Sequence, residues 1–107
     1  MPFDATPESP KLQCLRQMRT LLEDSNCWGQ KGLGGCLLTT MQRVAGTQKV
    51  PYAMLWKATL AFQMLSELPP GYNRWWPESL VRFNDNPETT HADVMAFLDR
   101  VIRKFGG

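Results

Sequence analysis

Apolar residues recur along this chain at α-helical spacing, and each recurrence breaks at Pro, Gly, Asn or Asp. Ser9-Pro10 has the form of an N-cap followed by an N1 proline. From there Leu12, Leu15, Met18, Leu21 and Leu22 return every three or four residues, marking one face of a helix over about 10–24. Asp24-Ser25-Asn26 ends it. The stretch from Cys27 to Gly35 holds four glycines in nine residues, a loop composition. Cys36 opens a second helical pattern in which Leu37, Leu38, Met41, Val44 and Ala45 share a face, with Gly46 at the C′ position.

A third helix is expected over about 51–67, beginning at Pro51. Its Tyr52, Met54, Leu55, Trp56, Leu60, Phe62, Met64 and Leu65 cover most of the circumference, which suits a central helix or one that meets a partner. Pro69-Pro70-Gly71 stops it, and Tyr72-Asn73-Arg74-Trp75-Trp76 reads as a loop. Pro77 begins a short helix through Leu80, Val81 and Phe83, and Asn84-Asp85-Asn86-Pro87 forces a turn. Thr90, three residues before Asp93, is a capping-box variant ahead of Val94, Phe97, Leu98, Val101, Ile102 and Phe105. That helix spans about 91–104, with Arg100, Arg103 and Lys104 where cations suit its dipole. Strand alternation and internal repeats are absent from the pattern. The reading is an all-α fold, one compact bundle of four to five helices over 1–107, with a Gly-rich loop before the second helix and 1–8 as a loosely ordered arm.

The length of 107 residues fits one domain and excludes a two-domain cofactor enzyme. At 43% hydrophobic and 21% charged residues the chain can build a core. Twelve Lys and Arg oppose ten Asp and Glu without a run of either sign, so nucleic acid is not indicated as a partner. The N-terminus lacks the basic and apolar regions of a secretory signal, and no stretch is apolar enough to span a membrane. With three cysteines, an odd number, free thiols in a reducing cytoplasm are expected. One His and a nine-residue Cys27–Cys36 spacing match no zinc pattern, so neither metal nor cofactor is assigned.

Three constellations could carry chemistry. The aromatic loop residues Trp28, Tyr72, Trp75 and Trp76, with Arg74, are the residue types of interface hot spots and of base-stacking platforms. Against this, large apolar caps close small cores, so at least one of these tryptophans is expected to be structural. Gly34 and Gly35 leading to Cys36 at a helix start could leave N–H groups for an anion, or could simply connect closely packed helices. Cys36 could also be a nucleophile, with Gln30 six residues before it, a spacing that resembles papain-like enzymes, and His91 with Asp85 or Asp93 as base and orienter. A buried free thiol followed by Leu37 and Leu38 is the competing reading.

Two stretches carry a resemblance. Trp28-x-Gln30-x-Gly32 followed by Cys36-Leu37-Leu38-x-x-Met41-x-x-Val44-Ala45 is similar to the front of a small helical family of unknown function found in actinobacteria and their phages. Phe83-Asn84-Asp85-x-Pro87-x-x-Thr90-x-x-Asp93-Val94-x-x-x-Leu98-Asp99-Arg100 resembles its closing motif. The resemblance implies a small cytoplasmic all-α protein of bacterial or phage origin and no particular activity. The leading expectation is a non-enzymatic protein, encoded by a phage or mobile element, that binds and inhibits or modulates a host protein complex such as a defence system. The alternatives are a nucleotide-binding protein using the Gly-rich loop and the tryptophans, and a thiol enzyme built on Cys36. A protein partner leads, a small nucleotide ligand or a homo-oligomer follows, and no membrane is involved.

Overall fold

The computed structural model describes residues 9–30, 35–47 and 53–107. The expected N-terminal arm and the start of the third helix at Pro51 lie outside them. Five α-helices follow in order: α1 (Pro10–Glu23), α2 (Leu37–Ala45), α3 (Ala53–Leu65), α4 (Glu78–Asp85) and α5 (His91–Lys104). No strand occurs among the described residues, although one isolated parallel bridge pairs Trp28 with Gly35. The chain is thus all-α, as the periodicity indicates.

Local chemistry sets the helix starts. Ser9 Oγ accepts from the Leu12 N–H at 3.2 Å, with Pro10 entering α1. Cys36 caps α2, its Sγ accepting from the Thr39 N–H while Thr39 Oγ1 accepts from the Cys36 N–H. Thr90 and Asp93 exchange the same pair of bonds at α5, at 3.1 and 2.9 Å. After α1, Asp24 folds the chain over by accepting from the Asn26 N–H at 2.9 Å.

Helix α1 packs on both α5 and α2, and α2 in turn meets α3 and α4. One apolar core results, in which Leu15, Met18, Leu37, Leu60, Met64, Leu65, Leu80, Val94, Phe97 and Leu98 are fully enclosed. On α1 the inward set differs from the expected one at its edge. Cys14 is buried and Leu21, at the flank of the face, is 40% exposed.

Helix α3 shows why an all-round apolar sequence is tolerated. Its C-terminal end is held by three cations, two from α5 and one from the loop that follows α3. Lys104 donates to the Gln63 carbonyl, Arg100 to that of Glu67 and Arg74 to that of Leu68. These bonds satisfy one carbonyl in the last turn of α3 and two in the turn that follows it. Arg100 and Lys104, expected to serve their own helix, therefore serve α3 as well. The helix ends at Leu65, two residues before the expected 67, because Glu67 and Leu68 turn back with i→i−3 bonds to Met64 and Leu65.

Candidate functional site

The aromatic residues singled out from the sequence divide into two groups. Trp28 is turned inward, half-buried against the core, and its indole N–H donates to Asn84 Oδ1 at 2.7 Å. Tyr72 is also half-buried, meets Phe83 edge-on at 5.7 Å, and its hydroxyl accepts from Asn86 Nδ2 at 2.8 Å. Arg74 is engaged with the Leu68 carbonyl. Trp75 and Trp76 remain at the surface, 82% and 48% exposed, with the Arg82 guanidinium 5.1 Å from the Trp76 ring centre.

Trp28 belongs to a polar clasp centred on Asn84, a residue the sequence presents only as a turn former. Asn84 is fully buried. Its Oδ1 accepts from Trp28 Nε1 and from the Leu37 N–H, and its Nδ2 donates to the Gly29 carbonyl and to Asp85 Oδ1. The side-chain amide of Gln30 reaches the carbonyls of Asn84, Asn86 and Thr89, at 2.9, 2.7 and 3.3 Å. His91 adds a bond from its Nε2 to the Leu22 carbonyl at 2.5 Å, with its ring 5.8 Å from that of Trp28. The clasp ties the loop after α1 to the start of α2, the end of α4 and the start of α5. No buried side-chain polar atom among the described residues lacks a hydrogen-bond partner.

This geometry places the other candidates. Gln30 grips backbone carbonyls, His91 faces Leu22, Asp93 caps α5 and Asp85 meets Asn84, so separate partners hold the residues considered for thiol chemistry. Cys36 is half-buried at its cap. At the α2 terminus, Asn84 accepts from the Leu37 N–H and Cys36 from that of Thr39, while the Gly35 N–H donates to the Cys27 carbonyl at 3.0 Å. A Cβ on Gly35 would stand 2.9 Å from the Cys27 carbonyl oxygen and 3.0 Å from Thr40 Oγ1. Gly34 lies outside the described residues. Burial pushes the Cys14 thiol up to about 11. Among the described residues no cluster of His, Cys, Asp and Glu could hold a metal ion.

The surface carries what the clasp does not use. Met54, Leu55 and Phe62 are 87%, 68% and 48% exposed, and helical spacing puts them with Ala58 on one outward stripe of α3. Beside the stripe lies an apolar groove of about 470 Å³, formed by Leu38, Met41 and Gln42 of α2, Met54, Lys57, Ala58 and Ala61 of α3, and Pro77. Pro77 follows Trp76, which lines a second, more polar cleft of about 660 Å³ with Tyr72, Asn73, Ser79, Arg82 and Asp85. The α3 stripe went unassigned in the sequence because a helix apolar all round does not announce which side stays outside.

A family model described as a family of unknown function, DUF6197, matches residues 6–104. No curated protein and no solved structure matches the chain.

Proposed function

The chain belongs to this family of unknown function, and we propose that it is a non-enzymatic binding protein whose contact surface is the outward face of α3 together with Trp75 and Trp76. The observation that carries the reading is the position of its exposed large hydrophobics. Among the described residues five of the six large hydrophobics left exposed, Met54, Leu55, Phe62, Trp75 and Trp76, lie on or after α3, the sixth being Leu21 on α1. Apolar and aromatic surface of this kind is what protein interfaces bury at their centres. A host protein complex that is inhibited or modulated is the proposed partner, supported by the resemblance to a family of actinobacteria and phages. The cytoplasm is the proposed compartment. Three free thiols support it, and no helix among the described residues is long and apolar enough to cross a membrane.

The test places a photo-crosslinking amino acid at Leu55, at Trp75, or at exposed Arg103 on α5 as a control. Irradiation in the native host should give the same discrete protein adduct from 55 and 75 and not from 103. Adducts identical at all three positions, or at none, would overturn the assignment.

The polar cleft supports a second reading, a small ligand stacked on Trp76 and paired by Arg82. A thermal-shift screen with nucleotides, repeated on Trp76→Ala, separates it from the first. A nucleotide at about a hundred times its Kd adds roughly 2.7 kcal/mol, and the substitution should abolish that gain.

A further inference from the structure

We infer that the groove between α2 and α3 takes an acidic amphipathic helix of a protein partner, an inference that rests on the protein-binding reading above. Charge and shape point to the same occupant. From Ser25 to Ser66 the chain contains no Asp or Glu, while it carries Lys31, Arg43, Lys49 and Lys57. The two helices that form the groove therefore bear cations only. Lys57 stands on its wall and has no carboxylate partner among the described residues. The nearest acid to the lining residues in sequence is Glu78, beyond Pro77 at the α4 end.

The rest of the lining is apolar: Leu38, Met41, Met54, Ala58, Ala61 and Pro77. Small Ala58 and Ala61, one turn apart on the α3 side, leave room for an apolar ridge, and exposed Met54 can adjust to its side chains. An apolar groove walled by two helices accepts a helix that presents residues at i, i+3 or i+4, and i+7. Lys57, the one charged residue of the lining, favours an acidic residue on the flank of that helix and disfavours a basic one.

The experiment selects binders from an unbiased display library of helical peptides and follows the winners by the methyl signals of ¹³C-methyl methionine in the full chain. Enriched peptides should combine the apolar spacing with net negative charge. They should move the signal of Met54, which is 87% exposed on the groove, and leave those of enclosed Met18 and Met64 in place. Ala58→Gln, which fills the groove without changing charge, should weaken binding about tenfold or more. Lys57→Glu should weaken it roughly two- to fivefold, with the difference shrinking as salt is raised. Both positions lie outside the core, and an unchanged methyl spectrum of each free variant confirms its fold.

Enriched peptides that are neutral or basic, or whose binding ignores Ala58→Gln, would overturn the inference. So would concentration-dependent movement of the Met54 signal without peptide, which would give the groove to a second copy of the chain. If any of these outcomes occurs while crosslinks at 55 and 75 persist, the binding surface stands and only its assigned occupant is lost. If those crosslinks fail too, the underlying reading fails with it.

Discussion

Replacing Asn84 with Ala tests whether the clasp holds the fold together. The side chain is fully buried and makes four hydrogen bonds, so truncation leaves the Trp28 indole N–H, the Leu37 N–H and the Gly29 carbonyl without their partner. A buried polar group stranded in this way costs about 1–3 kcal/mol. Trp28 and Gly29 are only half-buried, so water recovers part of the loss, and a total of about 3–5 kcal/mol follows from the three groups. Against a typical stability of about 5–15 kcal/mol this is severe, a fall in Tm of roughly 15–25 °C for a domain of this size.

Urea unfolding monitored by tryptophan fluorescence, with Trp28→Phe and the double variant, completes a cycle. Trp28→Phe alone removes one donor from Asn84 and should cost about 1–2 kcal/mol. In the Asn84→Ala background the same change removes a donor that is already unpaired, so it should be close to neutral, giving a coupling of about 1–2 kcal/mol. Asn84→Asp tests the two donated bonds. A carboxylate there still accepts from Trp28 and Leu37, but it faces the Gly29 carbonyl and Asp85 where the amide donated. Losing the two donated bonds should make this variant less stable than the parent at neutral pH by about 1–3 kcal/mol. An Asn84→Ala loss below about 1 kcal/mol, or additive effects of the two positions, would refute the clasp as the element that holds the loop.

Gly35→Ala should destabilise by about 1–3 kcal/mol, because its Cβ meets the Cys27 carbonyl at 2.9 Å and Thr40 beside it; an unchanged melting curve would show that the loop yields freely. Thiol labelling followed by mass spectrometry should modify exposed Cys27 in the folded protein and reach buried Cys14 only after urea. Because the Cys14 pKa is raised from 9.0 to about 11, its contribution to stability is intact below pH 9 and falls as pH climbs toward 11, and Cys14→Ala should flatten that alkaline decline. Asp99→Asn removes the contact with Arg19 Nε at 2.5 Å, yet both side chains are about a third or more exposed, so chemical denaturation should register less than about 1 kcal/mol.

The parts of this fold that could be read from sequence are those decided within one helical turn. Ser9-Pro10, Cys36 and the Thr90–Asp93 pair each mark a helix start because the cap and its target N–H lie three residues apart. Roles set by remote partners were not legible. Asn84 looks like a turn residue until Trp28, Gly29 and Leu37 arrive beside it, and Arg100 looks like a dipole partner of its own helix until the Glu67 carbonyl appears. Trp28 and Trp75 occupy equally loop-like sequence, yet one finds a buried acceptor and the other remains in solvent. The apolar excess of α3 was visible, whereas the side left uncovered depended on where α2 packs.

The two stretches that carry the family resemblance meet each other in space. Trp28 and Gln30 from the front motif bind Asn84, Asn86 and Thr89 in or beside the closing motif. Those residues are therefore explained by architecture, since each fills a bond that burial would otherwise leave open. Met54, Leu55, Phe62, Trp75 and Trp76 lie outside both stretches and fill no such need. Surface substitution away from caps and buried networks usually changes stability little, so the exposed face can vary while the clasp preserves the scaffold. Helix α3 unites the two regimes: two cations of α5 and Arg74 fix its C-terminal end, while Met54, Leu55 and Phe62 stay exposed along its outer face. In the proposed binding role, a contact surface on a helix anchored at one end is positioned before binding, which reduces the entropy lost on association.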